Sequence, residues 1–331
     1  MTAVSGEPLL RVEGLRTYFP IRSGVLQRTV GHVRAVDGVD LLVPVGGTLA
    51  LVGESGCGKT TVGRSILRLV EPLEGRVLVD GVDLLRLPQS ELRPWRRALQ
   101  IVFQDPLASL DPRLRIRDAV AEGMDTFGIG ANESERTDRV AELLRRVQLD
   151  PGAMARYPHE LSGGQRQRVC IARALAVGPR LLICDEAVSA LDVSIQAQIL
   201  NLLRDLQAEL GLSYLFITHD LGVVRYLADR VSVMYLGQIV EEAETERLFE
   251  QPRHPYTRAL LAAVPSMDPE RRGVRARLRG DVPSPANPPS GCRFHTRCPE
   301  VFARCSAEAP PLYPDGNRSA RCFLADPDRR T

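Results

Sequence analysis

Gly53-Glu-Ser-Gly-Cys-Gly-Lys59-Thr60 is the stretch on which the reading of this chain turns. Its spacing, G-x-x-x-x-G-K-[ST], is that of a phosphate-binding loop. Lys59 is also the only lysine in 331 residues; the other forty-two basic residues are arginines. A planar guanidinium serves most surface and ion-pair roles. A loop wrapped closely around a phosphate chain has room only for a compact ammonium on a slender stem. The apolar run before the loop reads as a strand, and Val62, Ile66, Leu69 and Val70 follow it at helical spacing. Backbone N–H groups and the positive end of that helix then face an anion. Gly53, Glu54, Ser55, Gly56, Cys57, Gly58, Lys59, Thr60 and Thr61 are expected to line the phosphates of a nucleotide. Lys59 should touch the outer phosphates, and the Thr60 hydroxyl should ligate Mg²⁺.

Working outward, the apolar runs Thr48–Gly53, Leu99–Phe103, Leu181–Cys184 and Tyr214–Thr218 read as buried strands. Helical patterns lie between them: Val140, Leu143, Leu144 and Val147, then Ile195, Ile199, Leu202, Leu203, Leu206 and Leu210. Continuous apolar strands alternating with amphipathic helices predict an α/β fold with a mostly parallel core sheet flanked by helices. Val12, Val33, Val36 and Val43 stand near turn residues and suggest an N-terminal antiparallel group. The stretch from about 105 to 161 has helical patterning without strong strands, a helical subdomain. Past Leu261 proline and arginine accumulate, including the run Arg271-Arg-Gly-Val-Arg-Ala-Arg-Leu-Arg279, so a boundary is expected there, with little regular structure beyond. The arginine run reads as a solvated or partner-facing segment.

Leu181-Leu-Ile-Cys-Asp185-Glu186 ends an apolar strand in two carboxylates. Beside a phosphate loop, Asp185 is placed to hold the metal, and Glu186 to polarise an attacking water as general base. Leu161-Ser162-Gly163-Gly164-Gln165 precedes a further helix, a second cluster of exposed N–H groups with a hydroxyl at a helix start. An N-capping serine would explain Ser162 but not the whole pentapeptide. Two anion-binding helix starts in one chain suggest a nucleotide sandwiched between two protomers, Ser162 and Gly164 facing the one held by the partner.

Together these motifs resemble the ATP-binding cassette (ABC) family over roughly residues 8–260. The resemblance implies the P-loop ABC ATPase fold, ATP hydrolysis and further roles. Gln104, in Val-Phe-Gln104-Asp-Pro, matches the glutamine that joins the active site and its metal to the transmembrane subunits. Ser189-Ala-Leu-Asp192 matches the loop that crosses the dimer interface, and His219, in Ile-Thr-His219-Asp, the histidine on the terminal phosphate. Phe19 is expected to stack on adenine, with Tyr18 as its alternative. Ala187 departs from the proline usual in importers, although alanine is common in the wider family. His254-Pro-Tyr-Thr257, Leu260-Leu261, Val264-Pro265, Gly280-Asp-Val-Pro-Ser-Pro and Gly291-Cys292-Arg-Phe-His-Thr-Arg-Cys298-Pro resemble the end of oligopeptide and dipeptide permease ATPases. This implies an importer motor paired with a second cassette subunit, a paralogue giving a heterodimer. It also implies two transmembrane permease subunits, and indirectly an extracytoplasmic substrate-binding protein. A nickel or other small-solute importer and a redox-sensing regulatory ATPase stay open. Repair and chromosome ATPases insert a long heptad coiled coil between the two anion motifs, and only about a hundred residues without sustained heptads lie there. Ribosomal members carry two cassettes in one chain.

A formal net charge of +2, with 44% hydrophobic and 25% charged residues, argues against a dedicated nucleic-acid binder. No uncharged apolar run approaches a membrane span and no secretory signal is visible, so a cytosolic chain is expected; the resemblance to importer ATPases implies a peripheral place on the cytoplasmic face of the inner membrane. Of seven cysteines, Cys57 lies in the phosphate loop, and Cys170 and Cys184 in apolar patterns. Cys292, Cys298, Cys305 and Cys322 crowd into residues 261–331, the C-terminal extension. A segment poor in large apolar residues gains from a metal. Four thiolates suit tetrahedral Zn²⁺ or an iron–sulfur cluster. The resemblance favours 4Fe-4S, with Zn²⁺ or free thiols as alternatives and His295 a substitute ligand.

Overall fold

The computed structural model describes residues 7–25, 27–263 and 280–328, so Val264-Pro265 and the arginine run at 271–279 lie outside the described residues. The chain divides into two units that interleave in sequence. One comprises Val43–Thr48 and Arg86–Ile217, with the residues up to Leu9; the other comprises Leu10–Leu42, Leu49–Leu85 and the chain from Thr218 onward.

In the first unit three strands lie side by side in parallel. Leu99–Val102 pairs with Leu181–Asp185, which pairs with Ser213–Thr218. Every residue of the last two strands is buried, which is why they read as unbroken apolar runs rather than alternating ones. Between the outer and middle strands in sequence come the helices Pro106–Ser109, Ile116–Phe127, Glu133–Arg146 and Gly163–Leu175. Ile116, Val120 and Met124 of one helix and Val140 and Leu144 of the next are buried at helical spacing. Asn132 caps the Glu133 helix by accepting from the Glu135 N–H. Helix Val193–Leu210 buries Ile199, Leu202, Leu203 and Leu206 and ends at Gly211 in the left-handed conformation.

The second unit begins with a four-stranded sheet in the order Arg28–Val43, Leu10–Ser23, Glu74–Val79, Val82–Asp83, in which Leu10–Ser23 pairs antiparallel with Glu74–Val79. Strand Thr48–Val52, which feeds the phosphate loop, pairs in parallel with Arg230–Tyr235; Gln238–Glu244 then returns antiparallel to it. Around these strands Ala50, Val52, Val231, Val233, Tyr235, Tyr256 and Phe294 form one buried core. The rings of Tyr235, Tyr256 and Phe294 meet with centroids 4.7, 5.3 and 5.4 Å apart in tilted and edge-on contacts, geometry that aromatic quadrupoles favour. Phe294 thus seats the C-terminal segment on the strand layer that carries the phosphate loop.

Among the described residues the C-terminal segment carries only a few short regular elements. Tyr313–Asp315 and Arg318–Ala320 form a short hairpin whose second strand pairs with Gln238–Glu244, and Ala303–Ala307 is helical. Three-residue strands carry too little periodicity to be read from sequence. Covering the edge of Gln238–Glu244 supplies partners to its free backbone groups.

Candidate nucleotide and thiol sites

In the second unit, the phosphate loop leaves strand Thr48–Val52 and opens helix Lys59–Ile66, with Gly58 at its N-terminus. Gly58 has φ 110°, and a Cβ there would stand 2.0 Å from the Ala35 carbonyl oxygen, so no other residue fits. Lys59 is buried, and its Nζ donates to the carbonyls of Gly53 at 2.8 Å and Glu54 at 3.0 Å. The ammonium therefore sits inside the ring of the loop, where a larger guanidinium would not. The Glu54 N–H donates to the Tyr256 hydroxyl at 2.8 Å, and the Gly237 N–H donates to the Cys57 carbonyl at 2.9 Å. Burial pushes the Cys57 thiol up, against the pull of Lys59, so Cys57 acts as a small apolar filler. Ser55 and Gly56 are exposed at the tip, and Thr60 and Thr61 are half-buried in the first helical turn.

Two more candidates belong to this unit. Phe19 is 39% exposed on strand Leu10–Ser23. Its neighbour Tyr18 is half-buried and donates its hydroxyl to Asp37 at 2.5 Å. Burial first, then the bond to Asp37, raises the Tyr18 phenol. His219 is exposed in the turn before helix Leu221–Leu227, whose N-terminus is capped by Asp220.

In the first unit, Asp185 is buried as the last residue of its strand. Glu186 follows with φ 49°, a left-handed conformation uncommon for a side chain of this kind. Its N–H donates to the Ile217 carbonyl at 2.9 Å, and its own carbonyl accepts from the Ser189 N–H and hydroxyl at 3.1 and 3.0 Å. Three hydrogen bonds thus hold a backbone strain that costs on the order of 1–3 kcal/mol, and such strain gathers at functional positions. The Gln104 amide donates to the Glu186 carboxylate at 2.8 Å across 82 residues of sequence. The expected metal-linked glutamine therefore rests on the expected general base.

Ser162 caps helix Gly163–Leu175: its hydroxyl accepts from the Gln165 N–H at 3.3 Å, and the Gln165 side chain accepts from the Ser162 N–H at 2.9 Å. This reciprocal box accounts for Ser162 and Gln165. The two glycines need another reason, and for Gly164 it is steric: a Cβ there would meet the Ile195 methyl at 2.6 Å.

The four terminal cysteines, all in the second unit, line one small cavity together with His254, Phe294, His295 and Phe323. None is in a disulfide. The Cys292 N–H donates to the Cys305 carbonyl at 2.8 Å, and successive tight turns run from Cys292 through His295 to Cys298. Burial pushes the Cys298 thiol up to about 11 and that of Cys322 up to about 12. Among the described residues no group of three or more His, Cys, Asp or Glu side chains is arranged to hold a single metal ion. The thiols share a cavity without forming a compact ligand set.

Reading the sequence missed Tyr256, Asp37, Arg293 and Arg297, which tie the phosphate loop and its surroundings to distant segments. Each tie spans hundreds of residues or a sheet, and the local signals were Tyr256 within His254-Pro-Tyr-Thr257 and the two arginines within Cys292–Cys298.

Residues 36–189 match the family described as ABC transporter, and residues 240–305 match the oligopeptide/dipeptide transporter C-terminal region. A protein of Sinorhizobium fredii named as a probable peptide ABC transporter ATP-binding protein is 52% identical over 97% of this chain and 91% of its own length. The oligopeptide transport ATP-binding protein AppF of Bacillus subtilis is 52% identical over 94% of this chain and 95% of its own. Among solved structures, the dimeric cassette MJ0796 bound to ADP and Pi is 30% identical with a TM-score of 0.64, covering 71% of this chain and 98% of that one. With these identities over nearly its whole length, this chain belongs to the ABC transporter ATPases that carry the oligopeptide/dipeptide transporter C-terminal region.

Proposed function

We propose the following roles within a peptide-importer motor that binds and hydrolyses ATP. Lys59 and the loop amides bind the outer phosphates. Phe19 stacks on adenine, supported by its exposure beside a Tyr18 whose hydroxyl is already engaged. Thr60, Asp185 and Gln104 would hold Mg²⁺, since a hydroxyl, a carboxylate and an amide oxygen are hard donors of the kind it prefers. Bound there, the ion would neutralise charge developing on the phosphates. Glu186 accepts the proton of the attacking water, and His219 contacts the terminal phosphate. Ser162, Gly163, Gly164 and Gln165 face the nucleotide of a partner cassette, a paralogue in a heterodimer.

The observation that best supports this reading is the Gln104–Glu186 hydrogen bond, which joins the residue expected to sense the permease to the residue expected to drive hydrolysis. Glu186→Gln in the assembled transporter should retain ATP binding and lower turnover at least about a hundredfold. Unchanged turnover would remove the general base.

The permease subunits dock on the helices of the first unit. There a groove of about 490 Å³ is floored by Met124, Ile129, Leu143, Leu175 and Val177 and rimmed by Arg97, Arg139, Arg146, Glu135, Asp138 and Glu142. Through that contact the chain sits at the cytoplasmic face of the membrane, and no described helix is long and apolar enough to cross it. A solute-binding protein outside would deliver the peptide. Cys292, Cys298, Cys305 and Cys322 would hold a 4Fe-4S cluster, with Zn²⁺ as the alternative; the cavity they share supports this reading, although they do not form a compact ligand set there. Anaerobic purification with iron, sulfide and zinc analysis separates the two.

A further inference from the structure

The loop between the first two terminal cysteines, Cys292-Arg-Phe-His-Thr-Arg-Cys298, carries two arginines that both reach back toward the phosphate loop. The Arg297 guanidinium makes a two-pronged ion pair with Glu54: Nη1 to Oε2 at 2.7 Å and Nη2 to Oε1 at 3.0 Å. The Arg297 side chain is 5% exposed. It lies against the Tyr235 ring, 5.9 Å from its centroid, and its own N–H donates to the Phe294 carbonyl. Glu54 is therefore held at three points: its carboxylate by Arg297, its N–H by the Tyr256 hydroxyl, and its carbonyl by Lys59. Arg293 pairs with Asp37 and donates to the Leu236 carbonyl. The adjacent Gly237 donates its N–H to the Cys57 carbonyl and accepts from the Asp37 N–H. One seven-residue loop thus fastens the phosphate loop on two flanks.

Glu54 poses an electrostatic problem that this arrangement answers. A carboxylate within the loop opposes the negative phosphates it is built to receive, and a partly buried like charge costs far more than one in water. The bidentate guanidinium neutralises it and turns it in a fixed direction. We infer that Arg297 is a positioning residue of the nucleotide site, acting through Glu54, so that ATP affinity depends on the cysteine loop. This rests on the reading of Gly53–Thr60 as the phosphate-binding loop.

The test is equilibrium binding of ATP and ADP by calorimetry on the full chain, with a thermal melt for each variant. Arg297→Met should weaken ATP about tenfold or more, and ADP by less, because the uncompensated charge at Glu54 acts on one phosphate fewer. In a cycle with Glu54→Gln the penalty should disappear: adding Arg297→Met to Glu54→Gln should change ATP affinity less than about twofold. Arg297→Lys, which keeps the charge but not the fork, should fall between the wild type and Arg297→Met, and it provides the test if Arg297→Met does not fold. Equal losses for ATP and ADP, the same penalty with and without Glu54→Gln, or no loss at all would overturn the proposal. Wild-type protein that binds no ATP would instead overturn the reading beneath it.

Discussion

The proposed chemistry turns on one hydrogen bond, from the Gln104 amide to the Glu186 carboxylate. A bond from a neutral amide to a carboxylate is worth on the order of 1.5–3 kcal/mol, enough to fix the direction of the Glu186 carboxylate. Gln104→Ala should therefore reduce turnover in the assembled transporter about tenfold or more while ATP affinity, measured by calorimetry, stays within about threefold. Equal effects on both would assign Gln104 to binding alone. Gly58 makes a steric prediction. With φ at 110° and the Ala35 carbonyl oxygen 2.0 Å from where a methyl group would stand, Gly58→Ala should abolish ATP binding and lower the melting temperature. A variant that melts and binds normally would show that the loop relaxes around the added methyl and would contradict the steric claim. The residues with local spacing, Lys59, Asp185, Glu186 and Ser162 to Gln165, were legible because strand–loop–helix motifs are written over a few consecutive positions. The Gln104–Glu186 bond was not, since nothing in either motif encodes the approach of residues 82 apart.

At the scale of elements, the same division holds. Buried parallel strands such as Leu181–Asp185 announced themselves as apolar runs, and the helices of the first unit by their periodicity. The hairpin at Tyr313–Asp315 and Arg318–Ala320 did not, because its role comes from pairing with Gln238–Glu244 rather than from its own composition. The cysteine loop lies between these cases: its composition flagged a ligand set, and only the fold shows that it also presses on the phosphate loop. Its titration gives a signed prediction. With Cys298 at about 11 and Cys322 at about 12, these thiols are protonated in the folded chain at neutral pH. Loading them as thiolates must release protons, so raising the pH favours loading. Apparent Zn²⁺ affinity, measured by chelator competition between about pH 6 and 8, should rise about tenfold per pH unit for each proton released. A pH-independent affinity would contradict four-thiolate ligation.

At the scale of the whole chain, the proposed docking groove can be tested apart from the nucleotide site. The groove over Met124, Leu143 and Val177 contains none of the nucleotide-site candidates. Leu143→Glu should therefore reduce co-purification with the permease subunits severalfold and leave ATP affinity of the isolated chain unchanged. Retained co-purification would place the docking surface elsewhere. The second unit carries the phosphate loop, the aromatic core and the cysteine loop together, so damage to the C-terminal segment should register as altered nucleotide binding. All of these roles depend on nucleotide capture by the loop around the single lysine. Titrating Mg²⁺ and ATP into the folded chain in a calorimeter should show one ATP bound per chain, and Lys59→Ala should abolish the signal. No heat of binding from a chain that still melts cooperatively, or undiminished binding by Lys59→Ala, would contradict it.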